Sequence, residues 1–423
     1  MKDKILTRII AAVISLSAFF QINAADRYVP LPPALDGSMM PYDFSECTLP
    51  PNLPDSLRPI YAAYVARHGA RYLSGPGKMD KVMKALEKGR NTGTLSATGE
   101  AFLSLMIKVR EANEGNWGDL SPAGIMEERL LGSRLHEILP SLSESGTNIF
   151  AISSYVPRAV MTMYQLTNQL IRLNDSIEVR TDEGHQYSPL VCCFSADPEY
   201  AAYRKEGDWK HVYDDFVERH VSGAPARRLF TSTGMSDREL RKLTLEMYEV
   251  LKGNRAAGLP APTTQWMSGA EYEMCWRASN LQHYLRNSIT PLSTLAAKAT
   301  SPLLDRIIDD ADRATAYDTP YPAVNGYFGH AETLLPLLSL MNLPGCFDLP
   351  LDYTRLEDKW KIQNITPLGA NLLILIARAP SGNLYATLQL NGRTIRPLKG
   401  HPDVVKWTDL KDYWRQLMKE YNR

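Results

Sequence analysis

The densest group of chemically able side chains is Arg67-His68-Gly69-Ala70-Arg71. Two guanidiniums flank one imidazole, and the glycine between them lets backbone amides approach a ligand closely. Such a set suits a phosphate whose phosphorus is attacked by an imidazole nitrogen. The arginines would hold the equatorial oxygens, where charge must be stabilised during transfer. Their positive charge also discourages protonation of His68 and keeps it neutral and nucleophilic. At average composition, Arg-His-Gly-x-Arg arises by chance in on the order of one protein in several hundred. The plain alternative for these five residues alone is a polar loop after a strand. Elsewhere, His136-Glu137 lacks the second histidine of a zinc-protease helix, and His185, His211, His220, His283 and His401 read as background. Glycine motifs for nucleotides are missing. No metal or other cofactor is expected, because arginines hold phosphate without one.

These residues need elements to position them. Residues 60–66 (IYAAYVA) form an apolar run that suits a buried strand, and it delivers Arg67 and His68 at its carboxyl end. Ligand sites of open α/β sheets gather at such strand ends. Residues 148–152 are a second strand candidate, and 177–179 a third. Residues 78–115 read as helical with polar interruptions. The pattern over 122–139 is a stronger helix, with Ile125, Leu130, Leu131 and Leu135 near one face. Another starts at Pro157 with Val160, Met163, Tyr164, Leu170 and Ile171 on one stripe. From 199 to 297 the chain is charged, helical and rich in Tyr, Trp and Met. Strands return at 372–377, and 385–390 and 394–398 flank the turn signal Asn391-Gly392. Residues 26–52, proline-rich and turn-like, read as a wrapping arm. The expected fold is α/β, a mixed or parallel central sheet flanked by helices, with a second, α-rich domain. The core would use residues 25–75, 118–195 and 300–423, and the helical cap 76–117 and 196–299.

Composition narrows the class. The chain has 423 residues, 44 % hydrophobic and 22 % charged, which argues against disorder and coiled coil. Lys+Arg and Asp+Glu both number 47, so there is no basic excess for nucleic acid. Residues 1–24 combine Lys2, Lys4 and Arg8 with an apolar run and small residues, the pattern of a secretory leader. Cleavage after Ala24 would remove three bases and one acid, leaving 44 against 46, a net −2. No membrane anchor is expected after cleavage. Five cysteines, Cys47, Cys192, Cys193, Cys275 and Cys346, allow at most two disulfides, and buried thiols are the simplest reading.

Arg-His-Gly-x-Arg resembles the signature of the histidine phosphatase superfamily, in its acid phosphatase and phytase branch. Leu120-Ser121-Pro122-Ala123-Gly124, followed by Glu127 and Leu131-Gly132-Ser133-Arg134, resembles that branch's Leu-Thr-x-x-Gly helix. Ser153-Ser154-Tyr155-Val156-Pro157-Arg158 resembles its second strand and the arginine after it. Gly329-His330-Ala331-Glu332 resembles its late catalytic block, in the His-Ala-Glu form typical of multiple inositol polyphosphate phosphatases. The resemblance implies that His68 is the nucleophile and forms a phosphohistidine. Arg67, Arg71, Arg158 and His330 would contact the transferred phosphate, and Glu332 would protonate the leaving alcohol.

An inositol alkoxide is a poor leaving group, so a positioned acid is needed. Glu332 opens an apolar helical pattern, whose dipole favours the carboxylate, whereas an anionic substrate favours the acid. The balance predicts a mildly acidic to neutral optimum. Lys78, Arg204 and Lys205 are candidates to meet remote phosphates, although a lone basic residue is more commonly a solvated surface charge. Relatives often continue the first block with Tyr-Pro-Thr, where this chain has Tyr72-Leu73-Ser74-Gly75. The order of attack on the ring therefore stays open. The expected protein is an exported enzyme, periplasmic or secreted and bacterial, monomeric, acting on inositol hexakisphosphate and its lower esters. A general acid or sugar phosphatase is the alternative, and a non-catalytic phospholigand-binding protein a more remote one.

Overall fold

In the computed structural model, residues 28–48, 53–316, 321–350 and 352–422 are described, so the expected leader lies outside the described residues. The first strand, β1 (Arg58–Arg67), is buried over its last seven residues. It is followed by α1 (Gly77–Asn91), α2 (Ala97–Asn113) and α3 (Pro122–Ile138). Next come β2 (Asn148–Ser153), α4 (Pro157–Leu173) and β3 (Glu178–Glu183). A helical stretch carries α5 (Pro198–Glu206), α6 (Trp209–His220), α7 (Asp237–Leu251), α8 (Gly269–Asn287) and α9 (Leu295–Thr315). The chain then returns to the sheet with β4 (Val324–Gly329), α10 (Ala331–Leu340), β5 (Asn371–Arg378), β6 (Leu384–Leu390), β7 (Arg393–Ile395) and β8 (Val404–Lys406), and ends in α11 (Trp407–Tyr421).

The sheet order is β3-β2-β4-β1-β5-β6-β7, with β8 also paired to β6. Pairs among β3, β2, β4 and β1 are parallel, and those from β1 through β5 to β8 are antiparallel. The sheet is therefore mixed. The central strands β1 and β5 are covered on both faces, which is why their sequences are nearly continuous apolar runs. Asn391 and Gly392 both take positive φ, as the tight turn between β6 and β7 demands. Among the described residues the strands fall within 58–67, 148–153, 178–183, 324–329 and 371–406. One cluster of buried apolar side chains runs from Tyr61 and Ile374 on the sheet to Met79, Leu240 and Tyr272 on the helices.

Several expectations need correction. The strand β4 was not legible, yet it is fully buried between β2 and β1. The buried face of α4 carries Ala159, Thr162, Met163, Leu166 and Leu170, while Ile171 is exposed and Val160 and Tyr164 are only partly covered. On α3 the buried face includes Glu127, Glu128 and two glycines, which an apolar pattern cannot find. In line with the expectation of buried thiols, the five cysteines are all free and four of them are buried. No helix among the described residues is long and apolar enough to cross a membrane.

Candidate active site

Parallel register assembles the site. It pairs Arg67 with Gly329 and Ser153 with Phe328, so His68, His330 and Ser154 lie one residue past the ends of three adjacent strands. The exit is pinned by backbone bonds: the His68 amide donates to Gly329 O at 3.1 Å, and the Ser154 amide to Phe328 O at 3.0 Å. The His68 and His330 rings are then 5.6 Å apart, edge to face. Arg158 joins from the first turn of α4, where Pro157 starts the helix without sacrificing a needed amide.

The loop after β1 lies directly against the start of α3. The Ala70 amide donates to Glu127 Oε2 at 2.7 Å, and Ala70 O accepts from the Ser121 amide at 2.9 Å. The second Glu127 oxygen accepts from the Tyr42 amide at 3.1 Å. Behind Gly69 sits Glu128, fully buried, with neither oxygen partnered. Burial, and then the charge of Glu127, push its carboxyl well above the usual range, so it is a neutral acid.

His68 Nδ1 is 3.0 Å from Gly69 O. A carbonyl can only accept, so Nδ1 carries the proton and Nε2 keeps its lone pair. Burial, followed by the charges of Arg67, Arg71 and Arg158, holds the imidazole well below its ordinary pKa. The three arginines are cationic at acid and neutral pH even though burial and mutual repulsion lower Arg67 to about 10 and Arg71 to about 9. Arg67 is fixed by two bonds of 2.6 Å from Nη1 to Ser38 O and Thr366 O. Arg71 Nη1 donates to Tyr72 O at 2.7 Å. The Nε atoms of Arg67, Arg71 and Arg158 are buried donors without a protein partner. Three such donors around one neutral imidazole make a site suited to a tetrahedral oxyanion.

His330 is also kept neutral, lowered to about 3 by burial and Arg158. Its Nε2 is 3.1 Å from Ser154 Oγ, and its amide donates to Thr333 Oγ1 at 3.0 Å. Glu332 lies in the first turn of α10, partly buried. Burial would raise its carboxyl, but the Arg204 guanidinium overcomes it and holds the group at about 2.

Of the remaining basic candidates, Arg204 is brought into the site. It is no surface charge: its side chain is 12 % exposed and Nη2 is 3.3 Å from Glu332 Oε1. Lys78 pairs instead with Glu249 at 3.0 Å, on the wall of a cavity of about 670 Å³ between α1, α6, α7 and α8. Lys205 is exposed, and its charge bears on Glu206 rather than Glu332. His283, read as background in the sequence, is half-buried near Glu332, with Nε2 3.4 Å from Ser38 Oγ. Burial and Lys252 hold it neutral down to about 3. Ser38 itself belongs to the wrapping arm, whose Asp36 pairs with Arg255 and accepts from Tyr272 at 2.9 Å. Nothing in local spacing signals these partners, which stand more than 200 residues apart. Among the described residues no group of three His, Cys, Asp or Glu could hold a metal ion.

The profile of the histidine phosphatase superfamily (branch 2) matches residues 60–385. The fold is similar to the multiple inositol polyphosphate phosphatase of Bifidobacterium longum in complex with inositol hexasulfate, with TM-score 0.74 at 15 % identity, covering 90 % of this chain and 97 % of that one. It is similar to the D. castellii phytase, with TM-score 0.67 at 16 % identity, covering 91 % and 85 %. A Klebsiella sp. phytase aligns at TM-score 0.52 and 13 % identity, covering 86 % and 97 %. With the profile spanning well over half of its length, the chain belongs to branch 2 of the histidine phosphatase superfamily.

Proposed function

We propose that this protein is an exported phosphatase that hydrolyses phosphomonoesters of inositol hexakisphosphate and its lower esters through a phosphohistidine. The observation that carries the reading is His68. Its Nδ1 proton is tied to Gly69 O, and its ring is surrounded by three arginines with unpartnered Nε donors. In the first step Nε2 bonds to phosphorus as the ester P–O bond breaks, and Glu332 in its acid form gives its proton to the departing alkoxide. In the second step water attacks phosphorus, Glu332 takes the proton, and the P–N bond breaks to release phosphate. Arg67, Arg71, Arg158 and His330 hold the phosphoryl oxygens throughout. Residues 76–117 and 196–299 act as the cap over the site.

Support for a polyphosphorylated substrate comes from the His-Ala-Glu form of the late block, His330-Ala331-Glu332. The test is phosphate release from inositol hexakisphosphate with EDTA present, for the wild type and His68→Ala. Release that is independent of metal and lost in His68→Ala is expected. Turnover of simple monoesters without release from the hexakisphosphate would overturn the substrate assignment.

A further inference from the structure

A proton donor held ionised by a neighbouring arginine is poorly prepared to donate. Arg204 is no chance neighbour of Glu332. Its Nε donates to Asn287 Oδ1 at 3.0 Å, and Nη1 reaches Phe194 O at 3.4 Å. The guanidinium lies 5.1 Å over the Phe194 ring and 5.9 Å from the centre of Tyr200. Its backbone carbonyl accepts from Arg286 Nε at 3.1 Å. Phe194 in turn packs edge-on to His330 at 5.5 Å. These contacts hold the guanidinium in place beside Glu332. There the 3.3 Å contact with Glu332 is long for a charge-assisted bond, so a phosphate dianion can compete for that nitrogen.

We propose that Arg204 is a positioning residue that gates the proton donor. It pairs with Glu332 until a second phosphate of the substrate takes its Nη2, and Glu332 then binds the proton that it delivers to the leaving alcohol. The inference rests on the reading of Glu332 as donor and of the substrate as a polyphosphate. It gives the enzyme a way to prefer polyphosphates over lone monoesters. The scissile phosphate occupies the arginines near His68, and only a second phosphate relieves Arg204. Other titratable groups also face Glu332: the neutral imidazoles of His330, at the start of its own helix, and His283 on α8, the guanidiniums of Arg286 on α8, Arg158 on α4, Arg67 at the end of β1 and Arg71 in the loop after it, and the Tyr200 phenol of α5. The Cys192 thiol is also near. Of these, Arg204 bears most strongly on the carboxylate and is its ion-pair partner. After the alcohol leaves, the carboxylate can pair with Arg204 again and accept the proton of the attacking water.

The test compares pH profiles of kcat/KM for wild type, Arg204→Gln and Arg204→Lys on three substrates. Glycerol 2-phosphate has one phosphate and a leaving group that needs an acid, whereas p-nitrophenyl phosphate needs none. At about pH 5, Arg204→Gln is expected to raise the glycerol 2-phosphate rate relative to p-nitrophenyl phosphate by about tenfold or more and to move the alkaline limb upward. On inositol hexakisphosphate the same variant should lose about tenfold, chiefly through KM. Arg204→Lys should stay on the wild-type side of both changes. A uniform loss on all three substrates with an unmoved limb would overturn the gate. Should Arg204→Gln fail to fold, calorimetry of inositol hexasulfate binding to the wild type in two buffers decides the matter. Uptake of about one proton, absent in Glu332→Gln, is expected, and no uptake overturns the gate. If the wild type ignores inositol hexakisphosphate, the function reading fails by itself, and the two monoesters still judge the pairing.

Discussion

Replacing Gly124 by alanine should separate catalysis from general stability. A Cβ at Gly124 would stand 2.0 Å from Ala70 O and 2.8 Å from Ala70 C and N, all of them backbone atoms of the loop that carries His68. Ordinary contact begins near 3.4 Å, so the loop and α3 must part by about 1.4 Å. No flexible side chain can absorb that. The bonds from the Ala70 amide to Glu127 and from the Ser121 amide to Ala70 O stretch with it. Overpacking of this kind costs about 3 kcal/mol, offset by about 1 kcal/mol from the better helix propensity of alanine. A misplacement near 1 Å costs about 10²-fold in rate. The matched control is Gly132→Ala, one face along α3, where the clash is 2.8 Å with Leu166 O of α4. That variant should lose about 1–2 kcal/mol by denaturant unfolding yet keep kcat within about threefold. The assay is kcat on p-nitrophenyl phosphate at a temperature where both variants are folded. Equal kcat in the two variants would refute the claim that the packing of α3 on this loop positions His68.

Two further outcomes follow from the same geometry. Arg67→Lys keeps the charge but cannot make two Nη1 bonds to Ser38 O and Thr366 O while presenting Nε, so kcat/KM should fall by about 10²-fold with little change in unfolding midpoint. The pH dependence of stability should be unusually flat. His283 and His330 titrate near 3 when folded and at an ordinary 6.5 when unfolded, so their contribution is full above 6.5 and lost as pH falls toward 3. Asp36 and Glu127 are raised by burial from 3.8 to about 6 and from 4.5 to about 7, so theirs is full at low pH and lost as pH rises through those values. The opposing slopes predict a plateau where these ranges overlap, from about 4 to about 6, which urea midpoints against pH would reveal. His283→Gln should tilt it toward greater stability in acid, and a tilt the other way would contradict the assigned neutral state.

Much of this site was legible because its chemistry is local. Arg67, His68 and Arg71 lie within five residues, the strand before them is an uninterrupted apolar run, and Glu332 opens an apolar helix. Strands β1, β2 and β5, helices α3 and α4, and the β6–β7 turn all follow from periodicity and turn residues acting over a few positions. The strand β4 did not announce itself, since Val324-Asn325-Gly326-Tyr327-Phe328-Gly329 mixes glycine and a polar residue into a buried strand. Its Asn325 is satisfied by Tyr61 OH at 3.0 Å, and Gly326 leaves room for Ala151 and Phe328.

Residue types and short spacings therefore determined the candidate site's first block and most of the elements. What tertiary structure alone decided is who stands behind the candidate residues. Arg204 and Glu332 are 128 positions apart, Ser38 and His283 are 245 apart, and Asp36 meets Arg255 across 219. A lone arginine carries the same sequence signal whether it ends in water or against a carboxylate. Only burial and distance separate the two, because the strength of an ion pair and the charge state of its members depend on how much water remains between them.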